Sequence, residues 1–144
     1  MRIETSDIAT VVQLSQQIPE FKDPYPAAEY EKRCHHVPHL ILVAYEQTTP
    51  IGFKVGYERE QGSFYSWMGA VLPQYRRKGV AQALANYQEE WARAKGYDTI
   101  IFKTRNRLKA MLTFTINNDF NIFRVEERTK IEEYRIWLQK KLLP

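Results

Sequence analysis

Three runs of β-forming residues, joined by turns too short to hold anything else, constrain this chain most. Leu40-Ile41-Leu42-Val43-Ala44-Tyr45 is followed by the turn Thr48-Thr49-Pro50, then by Ile51 to Tyr57, then by Gln61-Gly62, then by Ser63 to Val71. Short runs rich in β-branched and aromatic residues read as strands, and brief connections join antiparallel neighbours. The first half therefore predicts an antiparallel meander. Ahead of it, Arg2 to Glu4 predicts a short opening strand. Ser6-Asp7 offers an N-cap for a helix with Ile8, Val11, Val12 and Ile18 on one face, ended by Pro19. Ala27 to Arg33 predicts a second short helix.

After Pro73 the pattern changes. Val80, Leu84, Tyr87, Trp91 and Ala94 recur at helical spacing, which puts Asn86, Glu89 and Arg93 on other faces, and Gly96 is the expected stop. Thr99 to Phe102 reads as a buried strand, and Leu108, Met111, Leu112 and Ile116 as a helix that frays at Asn117-Asn118. Two closing strands are expected near Asn121 to Val125 and Tyr134 to Leu138. A mostly antiparallel sheet flanked by helices, with one strand–helix–strand crossover, is a mixed α/β (α+β) fold, here a single domain over residues 1–144. At 44% hydrophobic and 26% charged residues, the composition excludes a disordered or low-complexity chain. No apolar run approaches the ~18 residues of a membrane span. The start lacks a signal-peptide pattern and Cys34 is the only cysteine, so a cytoplasmic location is expected. The net charge of +4 favours acidic ligands without demanding nucleic acid.

The most informative segment runs from Val71 through Pro73 and Tyr75 to Arg76-Arg77-Lys78-Gly79-Val80-Ala81. It leads from a strand end, through a basic turn, into a helix N-terminus. The first N–H groups of a helix have no intrahelical partner and carry the positive end of its dipole, so such an end attracts phosphate. Gly79 and Ala81 let a ligand approach the backbone, and Arg76, Arg77 and Lys78 add full charges. The patterns of a P-loop and of a dinucleotide fingerprint are both missing. A solvated basic turn that merely caps a structural helix is the plain alternative.

With its flanks, the hexapeptide Arg76 to Ala81 resembles the acetyl-CoA motif R/Q-x-x-G-x-G/A of the GCN5-related N-acetyltransferase family. Ala70-Val71, Pro73 and Tyr75 upstream, the long helix downstream, Asn106, Asn118-Asp119-Phe120 and the order of elements extend the resemblance over essentially the whole chain. The resemblance implies acetyl transfer from acetyl-CoA to a primary amine by direct attack, with no metal. It implies a bulge near the strand end at Val71, with the N–H of Val71 or a neighbour facing the oxyanion. Ala70, Val71, Arg76, Arg77, Lys78, Gly79, Val80, Ala81 and Asn106 would bind the cofactor, and Arg105, Arg107 and Lys109 are candidates for its remaining phosphate. Asn106 is otherwise a helix N-cap. Where many members carry a tyrosine that protonates the leaving thiolate, this chain has Thr115, beside Phe114. Glu58 and Glu20 are the candidate bases and would draw a cationic amine into a pocket lined by Phe21, Tyr25, Tyr57, Tyr65 and Trp67. Family members often pair as dimers, and the strand around Tyr134 to Leu138 is a candidate contact.

Cys34-His35-His36 with His39 resembles metal ligands only superficially, because Pro38 breaks the segment and no second cluster exists. Two other functions compete: a domain that binds CoA without catalysis, and a basic nucleic-acid-binding domain built on Arg76 to Lys78 and Arg105 to Lys109. Against the latter stand Glu89-Glu90, Glu126-Glu127 and Glu132-Glu133, with no recognised nucleic-acid motif.

Overall fold

The β-rich runs pair as their turns require. In the computed structural model, which describes residues 1–143, the order of elements is β1 (Arg2–Thr5), α1 (Ile8–Ser15), α2 (Ala27–Cys34), β2 (His39–Glu46), β3 (Thr49–Glu60), β4 (Ser63–Val71), α3 (Val80–Ala94), β5 (Thr99–Arg105), α4 (Lys109–Asn117), β6 (Asn121–Glu126) and β7 (Arg135–Lys141). The strands form one seven-stranded sheet in the order β1-β2-β3-β4-β5-β7-β6. Only β4 and β5 run parallel among these pairs, joined by the crossover through α3. This is the mixed, mostly antiparallel architecture the sequence predicts.

Local chemistry explains the ends of the elements. Asp7 accepts the N–H of Thr10 at 2.9 Å and so caps α1. That helix stops at Ser15, and looser turns carry the chain to Ile18 before Pro19. Gly62 and Gly96 take positive φ at the β3–β4 turn and after α3, conformations that cost other residues more.

Two cores sandwich the sheet. On one face α1 and α2 cover Val43, Phe53, Val55, Tyr65 and Trp67, with Val11, Leu14 and Tyr30 contributed from the helices. On the other, α3 sets Val80, Leu84 and Ala92 against Leu42, Phe64, Ile100 and Leu142. Glu89, expected on an outer face of α3, is buried: its carboxylate meets Lys140 of β7 at 2.8 Å and Arg93 at 3.9 Å. The closing strand also departs from its expected role. β7 lies between β5 and β6, so both its edges are paired, and β6 forms the sheet edge with Ile122, Phe123 and Val125 exposed. No helix among the described residues is long and apolar enough to cross a membrane.

Gly56 of β3 shows how tightly the α3 face is packed. A Cβ there would press on the Phe64 ring and lie 2.8 Å from the Tyr65 carbonyl oxygen. Gly56→Ala is expected to destabilise the fold by about 2 kcal/mol through overpacking, read as a lower urea midpoint at unchanged slope.

Candidate functional site

Strands β4 and β5 stay together only from Ser63↔Thr99 to Ser66↔Phe102. Beyond that point β4 follows β3 to Val71 while β5 follows β7 to Arg105, and the sheet forks. The cause lies in β4. Its pairing with β3 jumps from Gly56↔Ser66 to Val55↔Met68, leaving Trp67 as an extra residue, and a bulge of this kind bends its strand. The bulge therefore sits at Trp67, not at the strand end near Val71 where the sequence placed it. Past it, Leu72 donates to the Ile51 carbonyl at 2.9 Å. Antiparallel alternation then turns Ala70 towards β3 and points the N–H groups of Gly69 and Val71 into the fork.

The basic turn lies at the top of this opening. Leu72 leads into a single 3-10 turn at Pro73–Tyr75, and Arg77 (φ 62°) and Gly79 (φ 83°) are both left-handed. Such turns gather successive N–H groups into anion-binding concavities. Gly79 is the N-cap of α3 and supplies no side-chain acceptor, so the leading amides of Val80 and Ala81 remain uncapped by a side chain. A Cβ on Gly79 would meet nothing within 4 Å, so the turn faces open space at this residue. Arg77 and Lys78 are exposed beside them.

Arg76 behaves differently from its neighbours. Its Nε donates to the Val71 carbonyl at 2.9 Å, and its two terminal nitrogens donate to the Glu20 carboxylate, each at 2.9 Å. One side chain thus ties the end of β4, the basic turn and the loop after α1 together. The Arg76 hydrogen bonds hold the Glu20 carboxyl below its usual range, so Glu20 is an ionised clamp partner. Glu58 accepts the Tyr97 hydroxyl at 2.9 Å. It pairs with Phe64, and the stretch from there to Val71 spans on the order of 20 Å, beyond direct proton transfer to a group at the Val71 N–H.

Asn106 does not cap α4, whose N-cap position is Leu108; its side chain donates to the Ile131 carbonyl at 3.0 Å and pins the loop after β5. Arg105 and Arg107 both pair with Glu133, at 3.1 Å each. Thr115 is buried and its hydroxyl donates back to the Met111 carbonyl at 2.8 Å. Cys34 points into the core, while His35, His36 and His39 are exposed; among the described residues no three His, Cys, Asp or Glu side chains converge.

A small cavity under the fork, between α3 and α4, brings in residues that sequence reasoning missed. Lys54, Ser66, Gln88 and Glu89 line it together with Phe102 and Thr115. The Ser66 hydroxyl and the Gln88 amide nitrogen are buried without a hydrogen-bond partner. A signal was available for Lys54: a lysine between Phe53 and Val55, in a strand flanked by others, has to project into a covered face.

The fold and site define a class: an α/β domain whose one parallel strand pair splays open beside an uncapped helix start. The sequence profile of the Acetyltransferase (GNAT) family matches residues 9–115, and the chain belongs to that family. An acetyltransferase of Yersinia pseudotuberculosis is 38% identical over 72 residues, 49% of this chain and 50% of that protein. The chain's match thus spans about half the length of the curated relatives it resembles. Among solved structures, Ard1 from Thermoplasma volcanium superposes with a TM-score of 0.84 at 15% identity, over 99% of this chain and 98% of that one. An aminoglycoside 6'-N-acetyltransferase complexed with coenzyme A gives 0.81 at 15% identity, over 100% and 98%. At such identities the likeness is one of fold.

Lys54 gives the cavity a titration signature. Burial lowers its pKa from 10.5 to about 8, with Glu89 opposing the shift. The folded protein then sheds this proton before the unfolded chain does, so stability rises as pH climbs from about 8 towards 10.5. Lys54→Met is expected to flatten the rise of unfolding free energy between about pH 8 and pH 10 in urea titrations. A slope equal to that of the wild type would contradict the burial of this amine.

Proposed function

We propose that this chain transfers the acetyl group of acetyl-CoA to a primary amine by direct attack. One observation carries the reading: the free N–H groups of Gly69 and Val71 open into the fork directly below an uncapped, glycine-led helix start. The residues present fit such a donor. The open space over Gly79 suits a pyrophosphate, and the partnerless Ser66 hydroxyl and Gln88 amide suit an amide-bearing arm.

Bound acetyl-CoA would supply the activated thioester, whose carbonyl carbon gains the C–N bond and then loses the C–S bond, the sulfur leaving as thiolate and the amine's proton passing to water. The amides of Arg77 to Ala81, with the charges of Arg77 and Lys78, hold the phosphates. Arg76 acts through its clamp on the Val71 carbonyl, which holds the residue whose N–H would meet the developing oxyanion; one such donor is typically worth ~3–4 kcal/mol. Ala70 holds the backbone between these two donors. Asn106 holds the loop at the far wall.

Thr115, bonded to the Met111 carbonyl, is no proton donor, but a thiol with a pKa of about 8.5 departs without one. The same observation favours the second reading, CoA binding without turnover. The nucleic-acid reading loses support, since Arg76, Arg105 and Arg107 are all spent on glutamates.

Thermal unfolding with acetyl-CoA tests the first step. At a hundred times the dissociation constant the ligand adds roughly 2.7 kcal/mol, a rise of several degrees. Arg77→Glu combined with Gly79→Asp is expected to abolish the rise, and a wild type without one would remove the proposal. Amine-dependent thiol release then separates transfer from mere binding.

A further inference from the structure

The α1/α2 face of the fork is cationic, contrary to the expectation that Glu20 and Glu58 would make it attractive to a cationic amine. Trp67 and Lys103 are the first residues past the last β4–β5 pair, one on each arm, and both project to this face. On the β5 arm, the Lys103 amine lies 4.9 Å from the ring of its cross-strand partner Trp137. The Arg59 guanidinium lies 4.5 Å from the same ring and 5.7 Å from that of Tyr65, which stacks on Trp137 at 6.4 Å. Arg135 shares the face by strand alternation. On the β4 arm, Arg33 lies 4.3 Å over Trp67 and donates to the Tyr57 hydroxyl at 3.0 Å.

The negative charges nearby are already engaged. Glu126 accepts the Trp137 indole N–H and pairs with Arg124 and Arg128, and Glu29 pairs with Arg33. Arg59, Lys103 and Arg135 have no ion-pair partner among the described residues. Burial, and then repulsion from Arg135, Arg59 and Arg33, pushes Lys103 down from 10.5 to about 8, with Glu126 opposing the shift. Three cations without an ion-pair partner, two of them on the Trp137 ring, outnumber the single carboxylate of Glu126 beside the cleft and suit an anion.

We infer that the acceptor amine carries a carboxylate, held by Arg59, Lys103 and Arg135 against Trp137, while its amino group enters the fork between Trp67 and Lys103. This rests on the acetyl-transfer reading above. The site turns away polycationic acceptors and favours amino acids and related zwitterions.

The test is a panel of α-amino acids, each paired with its C-terminal amide, together with β-alanine and spermidine, assayed by thiol release. In the wild type at least one acid is expected to exceed its amide in kcat/KM by tenfold or more. In R59Q/R135Q that advantage is expected to fall by at least tenfold, while the midpoint rise with acetyl-CoA persists and shows that the variant is folded and loaded. A single Lys103→Gln variant is expected to lose part of the advantage. Preference for amides or spermidine, an advantage that survives R59Q/R135Q, or a silent panel in protein that binds acetyl-CoA would each overturn the inference. Absence of the acetyl-CoA rise in the wild type would instead fail the reading on which it rests.

Discussion

The structure depends on β4 being unable to keep both neighbours along its whole length. Trp67 has no counterpart on β3, β4 bends there, and its parallel ladder with β5 ends at Ser66↔Phe102. From that one break it follows that the N–H groups of Gly69 and Val71 face the fork, beside the cavity under α3 and α4. Backbone groups inside a sheet are costly to leave unmet, so whatever occupies the fork is met by these donors. Arg76 meets one of the freed carbonyls, that of Val71, and carries the restraint across to Glu20.

Much of this architecture was legible in the sequence because its determinants are local. Gly62 and Gly96 mark turns by their own conformational freedom, Asp7 accepts the N–H only three residues further on, and the turn from Arg76 into α3 is continuous in the chain. What escaped notice depended on residues far apart. Arg76 read as a phosphate ligand because Glu20, its partner, lies 56 positions earlier. Glu89 read only as lying off the apolar face of α3, because the β7 lysine that pairs with it comes much later in the chain. The position of β7 between β5 and β6 was illegible for the same reason: strand order is a property of pairings, and no motif within the strand encodes it.

The ions fall into two populations. Arg76 with Glu20, Arg105 and Arg107 with Glu133, and Lys140 with Glu89 each join separate elements and leave little field beyond themselves. Arg59 and Lys103 lie over the Trp137 ring, with Arg135 on the same face, and none of the three has an ion-pair partner among the described residues. A fold optimised for stability alone would not hold lysine and arginines in mutual repulsion, and such local inconsistency is characteristic of sites kept for binding.

The insertion of β7 between β5 and β6 also governs how the molecule can be assembled. When β6 leaves the ribosome it has no neighbour to pair with, since the strand that will join it to the sheet is made afterwards. Until β7 threads into place, Ile122, Phe123 and Val125 belong to a detached ribbon, and the β5 edge stands open beside them. The first four strands and α1 to α3 can condense early around contacts close in sequence, whereas the far side of the sheet waits for its final strand. That interval is when a nascent chain of this design is most exposed to pairing with the wrong partner.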